Sequence, residues 1–260
     1  MLDTPHVHPT ATEGFSRGAE TYSRGRPDFP PQALAWLLTD LGLRAGTTAL
    51  EIGAGTGKFT RLLAATGASV IAVDPAAAIL ERLVAELPAI AALRGHAHSL
   101  PIASGICDAV LCAQSFHWFA TPAALAEIRR VLRPGGVLGL IWNVRDQSID
   151  WVAKLTEIMA PFEGDTPRYD GGEWRRVFPA RGFGPLHEKS FAHTHVGAPE
   201  QVIVDRIASV SFIAALDAPE RERVLDQVRA LIAATPAIAR SDAVEFPYVT
   251  RAYWCRTDPS

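Results

Sequence analysis

The chain alternates short apolar runs with segments whose apolar residues recur at helical spacing. Five runs have the length of a strand: residues 49–52, 69–73, 90–94, 108–113 and 137–142. A continuous apolar run of this length, bounded by turn residues, is typical of a strand whose two faces are both buried. The pattern therefore predicts buried strands separated by other elements.

Helices are predicted between these strands. Residues 31–41 carry leucines at helical spacing and end at Gly42, a residue common just after a helix. Proline suits the first turn of a helix over residues 75–87, and Thr121 is a suitable N-cap for residues 122–132. Strands and helices thus alternate along the first part of the chain.

The pattern changes from about residue 147 onward. Helical stretches and two longer strands are predicted here: helices over residues 149–159, 173–178, 200–215 and 219–234, and strands over residues 185–196 and 244–257. An added helical segment ahead of the last strands fits a cover over a substrate site. Such covers set substrate choice, so the function of this part cannot be read by analogy.

A glycine-rich turn follows the first predicted strand. Gly53, Gly55 and Gly57 stand at alternate positions, where glycine permits positive φ angles and lets a ligand approach the backbone closely. Asp74 ends the second strand roughly twenty residues later, where an acid can hold the ribose hydroxyls of a nucleotide. The turn alone does not identify the nucleotide, because dehydrogenases also use one.

The glycine spacing separates two classes of nucleotide. The dinucleotide fingerprint is G-x-G-x-x-G, whereas here Gly57 follows Gly55 after one residue and Lys58 comes next. Glu51 also stands two residues before the first glycine. The string Glu-x-Gly-x-Gly-x-Gly resembles motif I of the class I S-adenosylmethionine (SAM) dependent methyltransferases. A plain connecting turn needs only one of these glycines.

Three further strings resemble methyltransferase motifs. Residues 15–30 match F-x-x-x-A-x-x-Y-x-x-x-R-P-x-[YF]-P, and residues 113–119 match A-Q-[AS]-x-H-W-F. Both resemble a bacterial and fungal subgroup that includes relatives of trans-aconitate methyltransferase. Residues 131–136, V-L-R-P-G-G, resemble a common late motif of the class I enzymes.

The resemblance implies an α/β, Rossmann-like class I methyltransferase fold. Its sheet would have seven strands, parallel except for one near the C-terminus, with helices on both faces and a helical insertion near the C-terminus. Residues 1–12 are expected to be a flexible arm and residues 13–260 a single domain. Within it, residues 30–146 would bind SAM, and residues 147–260 would supply acceptor-covering helices and the last strands.

The resemblance also implies the reaction. A methyl group would pass from SAM to an oxygen, nitrogen or carbon of a small-molecule acceptor by in-line displacement, catalysed mainly by positioning. His117 is the candidate catalytic base, because an imidazole titrates near neutral pH, although it could simply shape the pocket wall. A carboxylate acceptor would need no base, and Arg26 or Arg145 could bind it.

The cofactor-binding residues follow from the same resemblance. Glu51 would orient the turn or the methionine amine, and Asp74 would accept hydrogen bonds from both ribose hydroxyls. Tyr22 and Arg26 would belong to a lid, or to a plain capping helix. The stretch that often reads G-[DT]-A-E-x-L-P carries His96 and His98 here, so the backbone of Ala97 is the firmer adenine contact. The full set of expected cofactor contacts is Tyr22, Arg26, Glu51, Gly53, Ala54, Gly55, Asp74, Pro75, Ala97, His98 and Gln114.

Composition argues against several other classes of protein. A net charge of −3 and the absence of a lysine or arginine run argue against a nucleic-acid partner. No apolar stretch has the length of a membrane span, and the N-terminus does not resemble a signal peptide. Three cysteines suit a reducing compartment, so we expect a cytoplasmic protein. The sequence specifies neither the acceptor nor an oligomeric state.

Two groups of histidines lie close together in the sequence. His96 and His98 lack an acid or cysteine to complete a metal site, and a straight strand would hold His187 about 20 Å from His193. We therefore expect no metal. An NAD-type dehydrogenase and a non-catalytic SAM-binding regulator stay open as alternatives.

Overall fold

The computed structural model describes residues 25–259, in which seven strands form one sheet. The strands are β1 (Thr48–Ile52), β2 (Ser69–Asp74), β3 (Ala91–Arg94), β4 (Cys107–Ala113), β5 (Leu132–Arg145), β6 (His187–Gly197) and β7 (Val244–Arg256). Their spatial order is β3-β2-β1-β4-β5-β7-β6, and β7 runs antiparallel to both of its neighbours while the other pairs are parallel. The expected sheet with one antiparallel strand is confirmed. The predicted arm, residues 1–12, lies outside the described residues.

Helices connect these strands. They are α1 (Pro31–Thr39), α2 (Lys58–Ala64), α3 (Ala77–Glu86), α4 (Pro122–Val131), α5 (Asp150–Met159), α6 (Asp205–Ala208), α7 (Ser211–Ala214) and α8 (Ala218–Ala234). The Thr121 side chain accepts a hydrogen bond from the Ala124 N–H at 3.1 Å, which confirms its role as the N-cap of α4. Short 3-10 turns cover Phe116–Trp118, Ala160–Phe162 and Glu173–Val177.

Helices cover both faces of the sheet, as predicted. Side chains of successive strand residues point to opposite faces. Ala49 of β1 therefore packs in a core cluster with Trp36 of α1 and Leu63 of α2, whereas its neighbour Leu50 packs in another cluster with Ile128 of α4. Both faces of β1 are thus buried, which explains its continuous apolar sequence.

A third core cluster joins the C-terminal helices to the start of β7. It includes Leu155 of α5, Val228 of α8 and Phe246 of β7. Tyr248 of β7 belongs to the same cluster and pairs in register with Arg145, the last residue of β5. The helical insertion is therefore anchored beside the carboxyl end of β5, the end of the sheet where ligands bind in open α/β folds.

The predicted helix over residues 200–215 is wrong in one respect, because it is interrupted. A π-helical turn (Glu200–Val204) leads into α6, and the helix resumes only at α7. The Ser209 hydroxyl donates to the Arg206 carbonyl at 2.8 Å, which competes with the helical backbone bond. Val210 is then extended, with φ −69° and ψ 130°.

The described residues also show the state of the cysteines, the lengths of the helices and the grouping of possible metal ligands. Cys107, Cys112 and Cys255 are buried free thiols that pack in the same core cluster. Between residues 25 and 259, no helix has the length and apolar character needed to cross a membrane. The same part of the chain contains no group of three or more histidine, cysteine or acidic residues placed to hold a metal ion.

Candidate functional site

The glycine turn forms one wall of a cavity at the carboxyl end of β1. Gly53, Gly55 and Gly57 have φ angles of 74°, 56° and 85°, so all three use the left-handed region that favours glycine. A Cβ on Gly53 would lie 2.6 Å from the Ser115 Cβ, whereas one on Gly55 would meet nothing within 4 Å. Gly53 thus allows close packing, and Gly55 faces open space. We call this space the turn cavity; its lining includes Glu51, Gly53, Ala54, Gly55, Thr56, Lys58 and Phe59.

Glu51 is a buried carboxyl at the base of the turn cavity. Its side chain is 1% exposed, and its Oε2 accepts a hydrogen bond from the Thr60 hydroxyl at 2.6 Å. Burial raises the pKa of Glu51 to about 8, although the Thr60 hydrogen bond opposes this rise. The carboxyl therefore ties β1 to α2 across the glycine turn, and it is largely neutral at pH 7 in the ligand-free protein.

Asp74 braces the same turn from β2. One carboxylate oxygen accepts from the Gly55 N–H and the other from the Ala76 N–H, both at 3.0 Å. Burial raises the pKa of Asp74, while these two hydrogen bonds lower it. Asp74 lies beside the turn, as predicted, but neither it nor Pro75 lines the turn cavity.

The two expected adenine contacts lie on the segment between β3 and β4. Ala97 is buried in the core cluster that also contains Val73 at the end of β2. The His98 ring nitrogen Nε2 is 2.9 Å from the Thr121 hydroxyl, so this side chain is hydrogen-bonded to the N-cap of α4. Neither residue lines the turn cavity. Their contacts with adenine stay predictions.

A second cavity adjoins the turn cavity. We call it the arginine cavity, because Arg26, Arg145, Arg168 and Arg206 all line it. Its walls also include aromatic side chains and one acid: His117, Trp118, Trp142, Tyr169, Phe212 and Asp170. Four residues line both cavities: Arg26, Gln114, Asn143 and Arg206. The two spaces therefore meet at the carboxyl ends of β4 and β5.

Gln114 stands where the two cavities meet, immediately after β4. Its φ of 58° lies in the left-handed region, which is uncommon for a residue other than glycine. Its backbone N–H donates to the Ile141 carbonyl at 2.9 Å, and the next residue, Ser115, donates from its hydroxyl to the Ile52 carbonyl at 2.7 Å. These bonds attach the strained residue to β5 and β1. The structure thus places Gln114 between the turn cavity and the arginine cavity, and its contact with SAM stays a prediction.

The arginines of this cavity differ in whether an acidic group lies close enough to compensate their positive charge. Arg168 forms an ion pair with Glu163 at 2.7 Å. Arg145 has a buried Nε without a hydrogen-bond partner among the described residues, and its Nη1 lies 3.8 Å from the sulfur of Met159. Burial and the neighbouring Arg206 lower the pKa of Arg145 to about 10. Arg145 therefore places a poorly compensated positive charge at the carboxyl end of β5.

His117 lines the arginine cavity, and its surroundings argue against the predicted role of a base. Its Nδ1 accepts a hydrogen bond from the Trp142 indole N–H at 3.1 Å. Burial, with Arg26 and Arg168 nearby, lowers the pKa of His117 to about 3. A ring with so low a pKa is a weak proton acceptor at neutral pH. The geometry favours a hydrogen-bond donor in this position.

Residues 25–30 form a strap across the turn cavity, to which Arg26, Pro27 and Phe29 contribute. The Arg26 side chain donates to the Ser209 carbonyl at 3.1 Å, and the Lys58 ammonium donates to the Arg26 carbonyl. Arg26 thus lines both cavities, and its role in a lid stays a prediction. Tyr22, the other predicted lid residue, lies outside the described residues.

Several cavity residues have no signal in the sequence. Arg168 comes from the loop after α5, Arg206 from the interrupted helix, and Phe212 from α7. None belongs to a motif, and only the folding of the insertion brings them to the end of β5. Asn143 and Arg145 were easier to predict, because they follow an apolar run at the carboxyl end of a strand.

Comparisons with known proteins agree with this architecture. Residues 50–140 match the family described as a methyltransferase domain. An uncharacterised methyltransferase of Mycobacterium tuberculosis is 41% identical over 236 residues, which span 91% of this chain and 92% of the relative. An uncharacterised methyltransferase-like protein of Schizosaccharomyces pombe is 33% identical over 95% of this chain and 96% of its own.

Solved structures show the same fold. The structure of a putative type II methyltransferase from Anaeromyxobacter dehalogenans superimposes with a TM-score of 0.61 at 24% identity, over 90% of this chain and 97% of the other. The fold, the glycine turn and the similarity to methyltransferases over nearly the whole chain agree with one another. This chain is a methyltransferase and belongs to the class I SAM-dependent methyltransferase family.

Proposed function

We propose that this enzyme transfers a methyl group from SAM to a carboxylate oxygen of a small organic anion. The observation that carries the proposal is the arginine cavity, which four arginines line. Arg168 is paired with Glu163, whereas Arg145 has a buried Nε with no hydrogen-bond partner among the described residues. A buried charge is costly unless an opposite charge meets it. Arg145 is therefore the clearest case of such a charge.

The residues around the turn cavity fit the amino-acid part of SAM. Gly55 leaves the backbone uncovered there, and the Glu51 carboxyl lines the same space, where it can accept from an ammonium group. Asp74 would hold the ribose hydroxyls with the lone pairs that Gly55 and Ala76 leave free. The remaining proposed contacts are Tyr22, Arg26, Gly53, Ala54, Pro75, Ala97, His98 and Gln114.

Methyl transfer to a carboxylate requires the protein mainly to bind and orient the two reactants. When bound, SAM supplies a methyl group already activated by its sulfonium. A carboxylate is ionised at neutral pH, since its ordinary pKa is about 4, so the chain need not remove a proton. Arg145 can hold such a group through two parallel hydrogen bonds. Positioning of this kind can lower a barrier by ~7–11 kcal/mol in favourable cases.

Two sequence resemblances support an acidic acceptor. The strings at residues 15–30 and 113–119 resemble the subgroup that includes relatives of trans-aconitate methyltransferase. A carboxylate acceptor agrees with that resemblance, and membership of the subgroup is part of this proposal.

The cofactor is tested first, by titrating the protein with SAM in a calorimeter and using NAD as the control. We expect SAM to bind and NAD not to bind. Asp74→Ala should weaken SAM binding by about tenfold or more, ~1.4 kcal/mol. Binding of NAD in place of SAM would favour the dehydrogenase alternative.

The acceptor is tested next by following S-adenosylhomocysteine formation with matched sets of small carboxylates, their amides, phenols and amines. We expect turnover with carboxylates and none with the matching amides. Any turnover excludes the non-catalytic regulator, whereas turnover confined to phenols or amines would contradict the carboxylate proposal.

Arg145→Gln tests the cavity itself. Loss of a charged hydrogen-bond donor should raise KM for the carboxylate by about tenfold or more, with the Kd for SAM unchanged. Arg223→Gln is the matched control, because Arg223 is exposed on α8. Equal KM values in the two variants would show that Arg145 does not bind the acceptor.

A further inference from the structure

The contact between Trp142 and His117 determines which ring nitrogen carries the proton. The Trp142 Nε1–H lies 3.1 Å from His117 Nδ1. An indole N–H can only donate a hydrogen bond, so Nδ1 must accept it and carry no proton. The neutral imidazole therefore has its proton on Nε2. In the described part of the chain Nε2 has no hydrogen-bond partner, and the ring lines the arginine cavity.

Trp142 is held more rigidly than His117. It lies within β5, is 1% exposed, and packs against Tyr169, Trp174 and Tyr253 at ring-centroid distances of 5.1, 4.8 and 5.9 Å. His117 belongs only to the short 3-10 turn after β4. The sheet and this aromatic cluster therefore fix the indole N–H in place, and the imidazole adjusts to it.

We propose that Trp142 is a positioning residue that fixes the tautomer of His117, so that His117 presents an Nε2–H donor to an oxygen of the acceptor. The acceptor's identity as an anion rests on the proposed function above. A donor at this position cannot take a proton from a phenol, an alcohol or an ammonium group. His117 therefore contributes no base, which fits an acceptor that arrives already ionised.

The charges around the ring support the neutral form. Arg26 of the strap and Arg168 of the loop after α5 both act on His117, and both disfavour an imidazolium. Its other ring neighbours, Trp118 and Trp142, carry no charge. Protonation at Nδ1 would also break the hydrogen bond with Trp142. The neutral tautomer should therefore persist across the pH range in which ordinary histidines titrate, around pH 6.5.

The tautomer can be measured without any acceptor. Two-bond ¹H–¹⁵N correlation spectra of the ¹⁵N-labelled protein report which ring nitrogen is protonated, and His117→Gln identifies the His117 signal among the eight histidines. We expect a proton on Nε2 and no titration between about pH 5.5 and pH 8.5. A proton on Nδ1, or titration near neutral pH, would overturn the proposal.

Trp142→Phe tests the cause of this preference. Phenylalanine keeps a ring in the aromatic cluster but removes the N–H, so we expect both His117 tautomers to be populated. An unchanged thermal melt and an unchanged SAM affinity would show that this variant is folded. If the folded variant keeps a pure Nε2–H tautomer, Trp142 does not set it.

Kinetics separate a donor from a base. Glutamine can donate a hydrogen bond but cannot act as a base, so His117→Gln should keep kcat/KM within about fivefold of wild type. His117→Ala should lose about tenfold or more, the loss expected for a hydrogen bond to a charged group. Equal losses in the two variants would overturn the donor role. Since the spectra need no acceptor, failure of the carboxylate proposal would leave the tautomer result intact.

Discussion

At the scale of single residues, Glu51 has the most consequential environment. It is buried beneath the glycine turn, and burial raises its pKa from 4.5 to about 8. The folded protein therefore keeps a proton that the unfolded chain releases between these two pH values. The stability that this carboxyl contributes is complete below pH 4.5 and is lost as the pH rises through about 8.

Glu51→Gln should remove this pH dependence, because an amide has no charge to bury and can still accept from Thr60. We expect its stability relative to wild type to increase between about pH 5.5 and pH 8, at a rate of roughly 1.4 kcal/mol per pH unit at most. Urea unfolding at both pH values measures this. Glu245→Gln, at an exposed position of β7, is the control, and the same pH dependence in both variants would contradict the assignment.

Alanine substitutions at Gly53 and Gly46 separate the cost of a left-handed backbone from the cost of close packing in the glycine turn. Both glycines have positive φ angles, 74° and 86°, but a Cβ would meet Ser115 at 2.6 Å in Gly53 and nothing within 4 Å in Gly46. Alanine should cost ~1–2 kcal/mol at Gly46 from the left-handed backbone alone. Gly53→Ala should cost a further ~1–3 kcal/mol from overpacking. Equal losses of unfolding free energy in the two variants, measured by urea unfolding, would show that Ser115 moves aside without a cost in stability.

At the scale of elements, the strap over residues 25–30 links parts of the chain that are far apart in sequence. The Asp28 carbonyl accepts from Asn143 Nδ2 at 2.9 Å and from His193 Nε2 at 2.7 Å. The Thr250 hydroxyl donates to Asn143 Oδ1 at 2.7 Å and so fixes the orientation of that amide. Lys58 lies 3.2 Å from the Asp28 carboxylate. The strap is therefore held by β5, β6 and α2 together.

Lys58→Met should loosen the strap, because it keeps the apolar stem and removes the ammonium group. We expect faster hydrogen exchange over residues 25–30 in the ligand-free protein and faster dissociation of SAM, by about fivefold or more for a lost charged hydrogen bond. Lys154→Met, at the exposed Lys154–Asp150 pair of α5, is the control. If exchange over the strap does not change, Lys58 does not hold it.

At the scale of the whole molecule, the charge of the arginine cavity opposes that of the protein. The chain carries a formal net charge of −3, whereas the cavity concentrates four arginines. A cleft lined by one sign of charge focuses the field and raises the local concentration of ligands of the opposite sign. The field of these arginines would thus draw the proposed anionic acceptor toward the cavity.

Salt should therefore weaken acceptor binding. Between about 50 mM and 500 mM NaCl we expect KM for the carboxylate to rise several-fold, because screening shortens the range of the field to a few ångströms. Calorimetry of SAM binding in the same buffers is the comparison, and its Kd should change less. A KM that does not depend on salt would mean that the long-range field of the arginines does not attract the acceptor.

Local sequence determined the central sheet and the glycine turn. Strands such as β1 and β4 are buried on both faces, so nearly all of their residues are apolar and the strands can be predicted from these apolar runs. The positive φ angles at Gly53 and Gly55 are also a local requirement that the spacing of glycines reveals. Asp74 was predictable for the same reason, since its distance along the chain from the turn is set by one helix and one strand.

The arginine cavity, the strap and the protonation of His117 were decided only by the tertiary structure. Arg168 and Arg206 belong to no motif, and they meet Arg26 and Arg145 only because the C-terminal helices pack beside the end of β5. The ordinary pKa of imidazole suggested that His117 is a base, whereas the indole of Trp142 and the nearby arginines favour the neutral donor proposed above. The shape of a cavity and the protonation of a side chain depend on groups that are distant in sequence but close in space. Patterns along the chain reflect only the backbone conformation and the burial of each residue, so they do not reveal these properties.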